Sequence, residues 1–276
     1  TNDINPLNEV LIDESIAPSN ELRNKSSIIS NNLEKYYKND KGFCATFYNE
    51  NGTPLTNKNI TFSVNGVSYI KTTDNNGTAK LNINLESGNY TIISYNPTTN
   101  ETITNNITVL SSINGSDLTK YFKNATQYSV TLYDKTGKAL VNKTVRFNIN
   151  GIFYTRETDL NGSASLAISL RPGKYVITTI FDGLEIGKQV NVLPTLVTRN
   201  LTMDYLDGSR FTAQVLNGQG RPLANQNVSF NVNGVFYHKI TGADGLASLN
   251  IRLMSGEYII TSIWNEFQTG NTIKVS

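Results

Sequence analysis

One pattern recurs three times along this chain, and it constrains the fold more than any other feature. Residues 61–92, 146–177 and 229–260 match position by position, anchored on Gly66, Gly151 and Gly234 at offsets of 85 and 83 residues. The same offsets relate Gly52, Gly137 and Gly220, then Tyr90, Tyr175 and Tyr258. A repeat this long can bury a core of its own, so it predicts tandem domains and not a solenoid with one shared core. The match starts near residue 27 and sets the divisions 27–110, 111–196 and 197–276, with residues 1–26 as a linker or tail. The junctions, Val109–Gly115 and Leu193–Asn200, are short, which favours a stiff array.

Inside each copy the period is two. Thr61-Phe62-Ser63-Val64 and Ala79-Lys80-Leu81-Asn82-Ile83-Asn84-Leu85 alternate polar with apolar, as a strand with one wet face does. Asn-Gly, Asp-Gly and Thr-Gly pairs punctuate these runs and supply the positive φ of tight hairpin turns. The 14 Tyr and 11 Phe, with abundant Ile, Val and Thr, favour sheet over helix. About seven short strands per copy, each with one apolar face, predict an antiparallel two-sheet sandwich.

Charged residues make up 17% of the chain and the net charge is +2. No basic cluster appears, so nucleic acid is not an expected partner. No apolar run approaches the roughly 18 residues of a membrane-spanning helix. No export signal opens the chain at Thr1, so an exported role predicts that such a signal has been removed. The single cysteine, Cys44, has no internal disulfide partner and reads as a small buried strand residue. The single histidine, His238, aligns with Ile70 and Thr155, so the repeat does not require an imidazole there. No nucleophile–His pairing, His/Cys metal cluster or phosphate-binding glycine loop is evident, and no cofactor is expected. Asp74-Asn75-Asn76-Gly77 and Asp159-Leu160-Asn161-Gly162 lack the later carboxylates of a calcium loop and read as hairpin turns.

The words Asp117-Leu118-Thr119-Lys120-Tyr121-Phe122-Lys123-Asn124, Phe147-Asn148-Ile149-Asn150-Gly151 and Arg171–Thr179 resemble the immunoglobulin-like repeats of adhesin-like surface proteins from methanogenic archaea. They are similar, more distantly, to bacterial immunoglobulin-like and prealbumin-like modules. This resemblance covers about nine-tenths of the chain. It implies three tandem all-β, immunoglobulin-like sandwiches behind an extended N-terminal tail, displayed extracellularly at the cell surface for adhesion or surface architecture. It brings no catalytic residues. Partners under this reading are other copies of the chain, other surface proteins, or glycans.

Several residues stand out as candidate sites. Leu33, Lys35 and Tyr37 share one strand face, as do Leu118, Lys120 and Phe122, and Leu201, Met203 and Tyr205. Two copies thus aim a lysine at the core where the third has methionine. A bare buried ammonium is costly, so the lysine must either snorkel to the sandwich edge or be consumed in an isopeptide bond. The candidate acids for such a bond are Asp74 and Asp159, and the candidate amides are Asn105 or Asn106 in the first copy and Gln189 or Asn191 in the second. Asn51, Asn76 and Asn161 are glycosylation sequons in predicted turns. Val10-Leu11-Ile12 is the one apolar knot of the tail and a candidate donor strand for another copy. Tyr69, Tyr154 and Tyr237, like Tyr90, Tyr175 and Tyr258, recur in every copy and read as core or corner packing. The unmatched segment Asn96–Glu101 and an exposed Trp264 are candidate contact sites. Three readings follow: a display stalk of an adhesin, a filament subunit joined by strand donation from residues 1–26, and an array of glycan- or cell-wall-binding modules.

Overall fold

A computed structural model describes residues 25–276. The candidate donor Val10-Leu11-Ile12 lies outside the described residues. Strands alone, joined by turns and loops, make up the described chain. Residues to Ser111 form one compact unit, holding the first copy, and Ser112–Ser276 form a second, holding the other two.

In the first copy β1 (Ile28–Ser30), β3 (Gly42–Phe47) and β6 (Thr78–Asn82) form a three-stranded sheet in the order β1-β3-β6. Opposite it, β2 (Leu33–Tyr36), β4 (Asn59–Val64), β5 (Val67–Thr72), β7 (Gly88–Tyr95) and β8 (Thr102–Leu110) form a five-stranded sheet in the order β2-β8-β7-β4-β5. The second copy repeats both sheets with β9 (Ile113–Gly115), β10 (Leu118–Tyr121), β11 (Tyr128–Leu132), β12 (Thr144–Ile149), β13 (Ile152–Glu157), β14 (Ser163–Leu166), β15 (Gly173–Phe181) and β16 (Leu184–Leu193). The third repeats them with β17 (Leu196–Thr198), β18 (Leu201–Met203), β19 (Arg210–Val215), β20 (Asn227–Val232), β21 (Val235–Ile240), β22 (Leu246–Asn250), β23 (Gly256–Trp264) and β24 (Phe267–Val275). Each copy is an all-β, immunoglobulin-like sandwich. It has eight strands, one more than the periodicity suggested, because the first strand of each copy breaks in two. The second piece crosses to the other sheet and pairs parallel with the last strand, as Lys35↔Val109, Lys120↔Val192 and Met203↔Val275. That pairing is the exception to an otherwise antiparallel ladder.

The local signals act as expected. Asn65-Gly66 has φ of 51° and 76°, and Asn150-Gly151 and Asn233-Gly234 match it. Both turn positions are left-handed, as a two-residue type I′ hairpin requires. Alternation then drives one face of each strand inward. Phe43 and Phe62 meet edge to face at 5.6 Å between ring centroids, Tyr128 and Phe147 at 5.8 Å, and Phe211 and Phe230 at 5.7 Å. Each buried ring contributes roughly 2–3 kcal/mol by leaving water, so every copy closes its own core.

The two sheets are unequal, and the larger one overhangs. Val228, Phe230 and Val232 of β20 are core residues opposite Lys239, Tyr237 and Val235 of the edge strand β21. Residues directly opposite in a ladder share a face, so these three point to the core side. Yet Val235 is 51% and Tyr237 41% exposed, because the three-stranded sheet ends at β22 and nothing covers them. Val67 and Tyr69 of β5, and Ile152 and Tyr154 of β13, hold the same place. The expectation of core or corner packing for Tyr69, Tyr154 and Tyr237 is thus corrected: these tyrosines line an open edge.

Candidate functional site

The face predicted for Lys35 and Lys120 is correct. Both are buried, and Met203 occupies the same place in the third core. What the ammonium meets differs from a cross-link. Lys35 Nζ donates to Ile83 O at 2.6 Å and Lys41 O at 3.2 Å. Lys120 Nζ donates to Ile168 O at 2.8 Å and Thr126 O at 3.1 Å. The side chain crosses the core and ends on carbonyls at the sandwich edge, which satisfies the charge without chemistry. Burial pulls both ammonium groups below the usual lysine value, and Asp40 partly offsets this for Lys35.

The structure does not bring the other cross-link candidates to these lysines. Asp74 caps the turn before β6 by accepting from Asn76 N and Thr78 N, both at 2.9 Å. Asp159 does the same for Asn161 and Ser163. Asp74 is bonded to Thr78 at the start of β6 and Lys35 to Ile83 just past its far end, so the two sit at opposite ends of a strand, roughly 16 Å apart at about 3.3 Å per residue. Asn105 lies four residues along β8 from Val109, the partner of Lys35, and accepts from Ser30 Oγ at 2.6 Å. Asn106 is exposed. In the second copy Gln189 is exposed, and Asn191 is next to Val192, the partner of Lys120, and so faces the other side.

Other residues fall where alternation and turns send them. Asn51, Asn76 and Asn161 are exposed on turns. Cys44 is exposed and not buried as expected, since Phe43 and Ala45 take the inward positions of β3. Trp264 is half-buried against the third core and its Nε1–H donates to Gln226 Oε1 at 3.3 Å, so it is no exposed anchor. His238 is exposed and bonds Ser229 Oγ through Nδ1 at 2.8 Å. Tyr90, Tyr175 and Tyr258 are corner residues: each hydroxyl donates to the carbonyl four residues upstream, Glu86, Arg171 and Met254, at 2.8–2.9 Å.

Three sets of contacts were not legible in the sequence. Segment Asn96–Glu101, singled out there as a candidate contact site, clasps the incoming chain. Glu101 Oε2 accepts from Ser27 N and Ser27 Oγ, and Oε1 from Ser26 Oγ, all at 2.6 Å, while the buried Asn96 donates to Tyr48 O at 2.9 Å. Burial alone would raise the Glu101 carboxyl, but these donors hold it below its ordinary value. Its absence from the other two copies was the only available signal. The second arrangement recurs: buried Thr73, Thr158 and Thr241 each donate to the carbonyl 18 residues upstream, Leu55, Leu140 and Leu223. Each also accepts from a backbone amide, Lys58, Lys143 or Gln226.

The third is the open edge itself. In the third copy the overhang of β21 and the rim of β22 enclose a groove of about 510 Å3, lined by Val235, Tyr237, Leu249 and three cations, Arg210, Lys239 and Arg252. Among the described residues no Asp or Glu lines it. Such a groove, with a free strand edge beside uncovered apolar residues, can take an added extended strand.

No family model and no curated relative matches this sequence. Among solved structures, a surface glycan-binding protein of a Bacteroides ovatus mixed-linkage glucan utilization locus aligns at 14% identity, covering 90% of this chain and 67% of its own, with a TM-score of 0.27. Invasin, a bacterial integrin-binding protein, aligns at 15% identity over 90% of this chain and 59% of its own, with a TM-score of 0.28. A three-domain titin structure aligns at 13% identity over 90% and 96%, with a TM-score of 0.23. These likenesses are distant, and the fold rests on the strand order and register given above.

Proposed function

We propose that the chain is a non-enzymatic segment of an exported cell-surface protein, a stalk or display element of an adhesin. The observation that carries this reading is the repetition of one self-contained sandwich with a fixed junction. Between the second and third copies Phe122 packs edge to face on Phe267 at 4.7 Å, Lys123 pairs with Glu266 at 2.7 Å, and Asn124 Nδ2 donates to Gly218 O at 2.6 Å. Two sandwiches joined this way are held at a fixed spacing within their unit. The similarity of its words to repeats of methanogen adhesin-like proteins supports the same reading. Surface shaving tests it: protease applied to intact cells should release this chain, and retention inside unbroken cells would refute surface display. A second reading, assembly by strand donation from residues 1–26, is favoured by the uncovered edges of β5, β13 and β21.

A further inference from the structure

We infer that the groove between β21 and β22 of the third sandwich is the acceptor for the acidic segment Glu9–Glu14 of a second copy of this chain, added there as a strand. The inference rests on the strand-donation reading and names its acceptor site. Strand β21 carries Val235 and Tyr237 on its core side with no strand above them. The missing cover is one strand beside β22, whose outer edge has no partner in the sheet order. In a strand, Val10 and Ile12 share a face, which matches the spacing of Val235 and Tyr237.

Charge selects both the strand and the copy. Glu9, Asp13 and Glu14 flank the apolar knot Val10-Leu11-Ile12, and the groove offers Arg210, Lys239 and Arg252 with no acid in its lining among the described residues. The repeat offsets place Gly42, Lys71 and Asn84 at these positions in the first copy, and Gln127, Arg156 and Ser169 in the second. Three cations therefore meet three carboxylates only at the third copy, where complementary charge fixes register and speeds encounter. Thirteen Cα–Cα steps lead from Ile12 to Lys25. Extended, they reach about 43 Å, enough for the strand to leave its own first sandwich. Donation from each chain to the third sandwich of the next is head-to-tail and propagates.

Sedimentation velocity of the full chain over a concentration series tests this. The expected result is a ladder of dimers and longer species that weakens by at least about tenfold with Val10→Asp/Ile12→Asp and with Arg252→Glu, and recovers when Arg252→Glu is combined with Asp13→Lys. In a Cys44→Ser background, Ile12→Cys with Tyr237→Cys should give inter-chain disulfides on oxidation, whereas Tyr69→Cys or Tyr154→Cys should not. Trp264 fluorescence confirms that the third sandwich of each variant is folded. No association at any concentration would overturn both this inference and the strand-donation reading. Association that needs Val10 and Ile12 but ignores Arg252, or that traps Tyr69 or Tyr154, would overturn the groove assignment and leave the reading standing. A cross-link within one chain would overturn the second-copy assignment.

Discussion

Replacing Thr241 by valine separates hydrogen bonding from packing in this fold. Thr241 is 2% exposed. Its hydroxyl donates to Leu223 O at 2.6 Å and accepts from Gln226 N at 2.9 Å, tying the loop before β20 to the end of β21. Valine matches threonine in shape but leaves that amide and that carbonyl without their partner. Each buried unsatisfied group costs about 1–3 kcal/mol, and the added methyl returns less than about 1 kcal/mol, so Thr241→Val should cost about 3 kcal/mol. Thr241→Ser keeps both bonds and loses one methyl, about 1 kcal/mol. Trp264 is the only tryptophan of the chain and packs on the third core, so its fluorescence reports this sandwich while the other two are silent. With a urea slope of about 1.5 kcal/mol per M, the midpoint should fall by about 2 M for valine and about 0.7 M for serine. A valine variant as stable as the serine variant would refute the reasoning, because burial and not the hydroxyl would then hold the loop.

Intact mass should equal the sequence mass with no loss of ammonia or water, since Lys35 and Lys120 already bond carbonyls. Burial lowers the Lys120 ammonium below the ordinary value of 10.5, so the unfolded chain holds the proton where the folded chain releases it. Stability of the second sandwich should therefore rise with pH up to that value, and Lys120→Met, which copies Met203, should abolish the slope in calorimetric melts. Glu101 is displaced the other way for an acid, so its clasp should be intact above its unfolded value near 4.5 and be lost as pH falls through the lower folded one. Glu101→Gln should speed hydrogen exchange across Ile28–Ser30 at neutral pH by about tenfold, the loss of one charge-assisted bond. At Gly220, φ is +72° and a Cβ would lie 2.3 Å from the Tyr121 ring. Gly220→Ala should thus loosen the junction of the second and third sandwiches, read as faster proteolysis between them, with the Trp264 transition lowered only by the roughly 1 kcal/mol of a left-handed alanine.

Much of this was legible in the sequence because it depends on neighbours along the chain. The offsets of Gly66, Gly151 and Gly234 counted the sandwiches, and the Asn-Gly pairs set their hairpins. Alternation put Phe62, Phe147, Phe230 and even Lys35 and Lys120 on the inward face, since a strand's side-chain period is a property of its own backbone. Tertiary structure decided whether that face is covered. Tyr69, Tyr154 and Tyr237 obey the same period as the core phenylalanines, yet stay open because the opposing sheet stops one strand short. It also decided what the lysines touch: Ile83 and Ile168 lie 48 residues downstream, and no local pattern carries that distance. The Glu101 clasp closes over 74 residues for the same reason. Periodicity fixes which way a side chain points, and only the packing of one sheet on another fixes what it meets there.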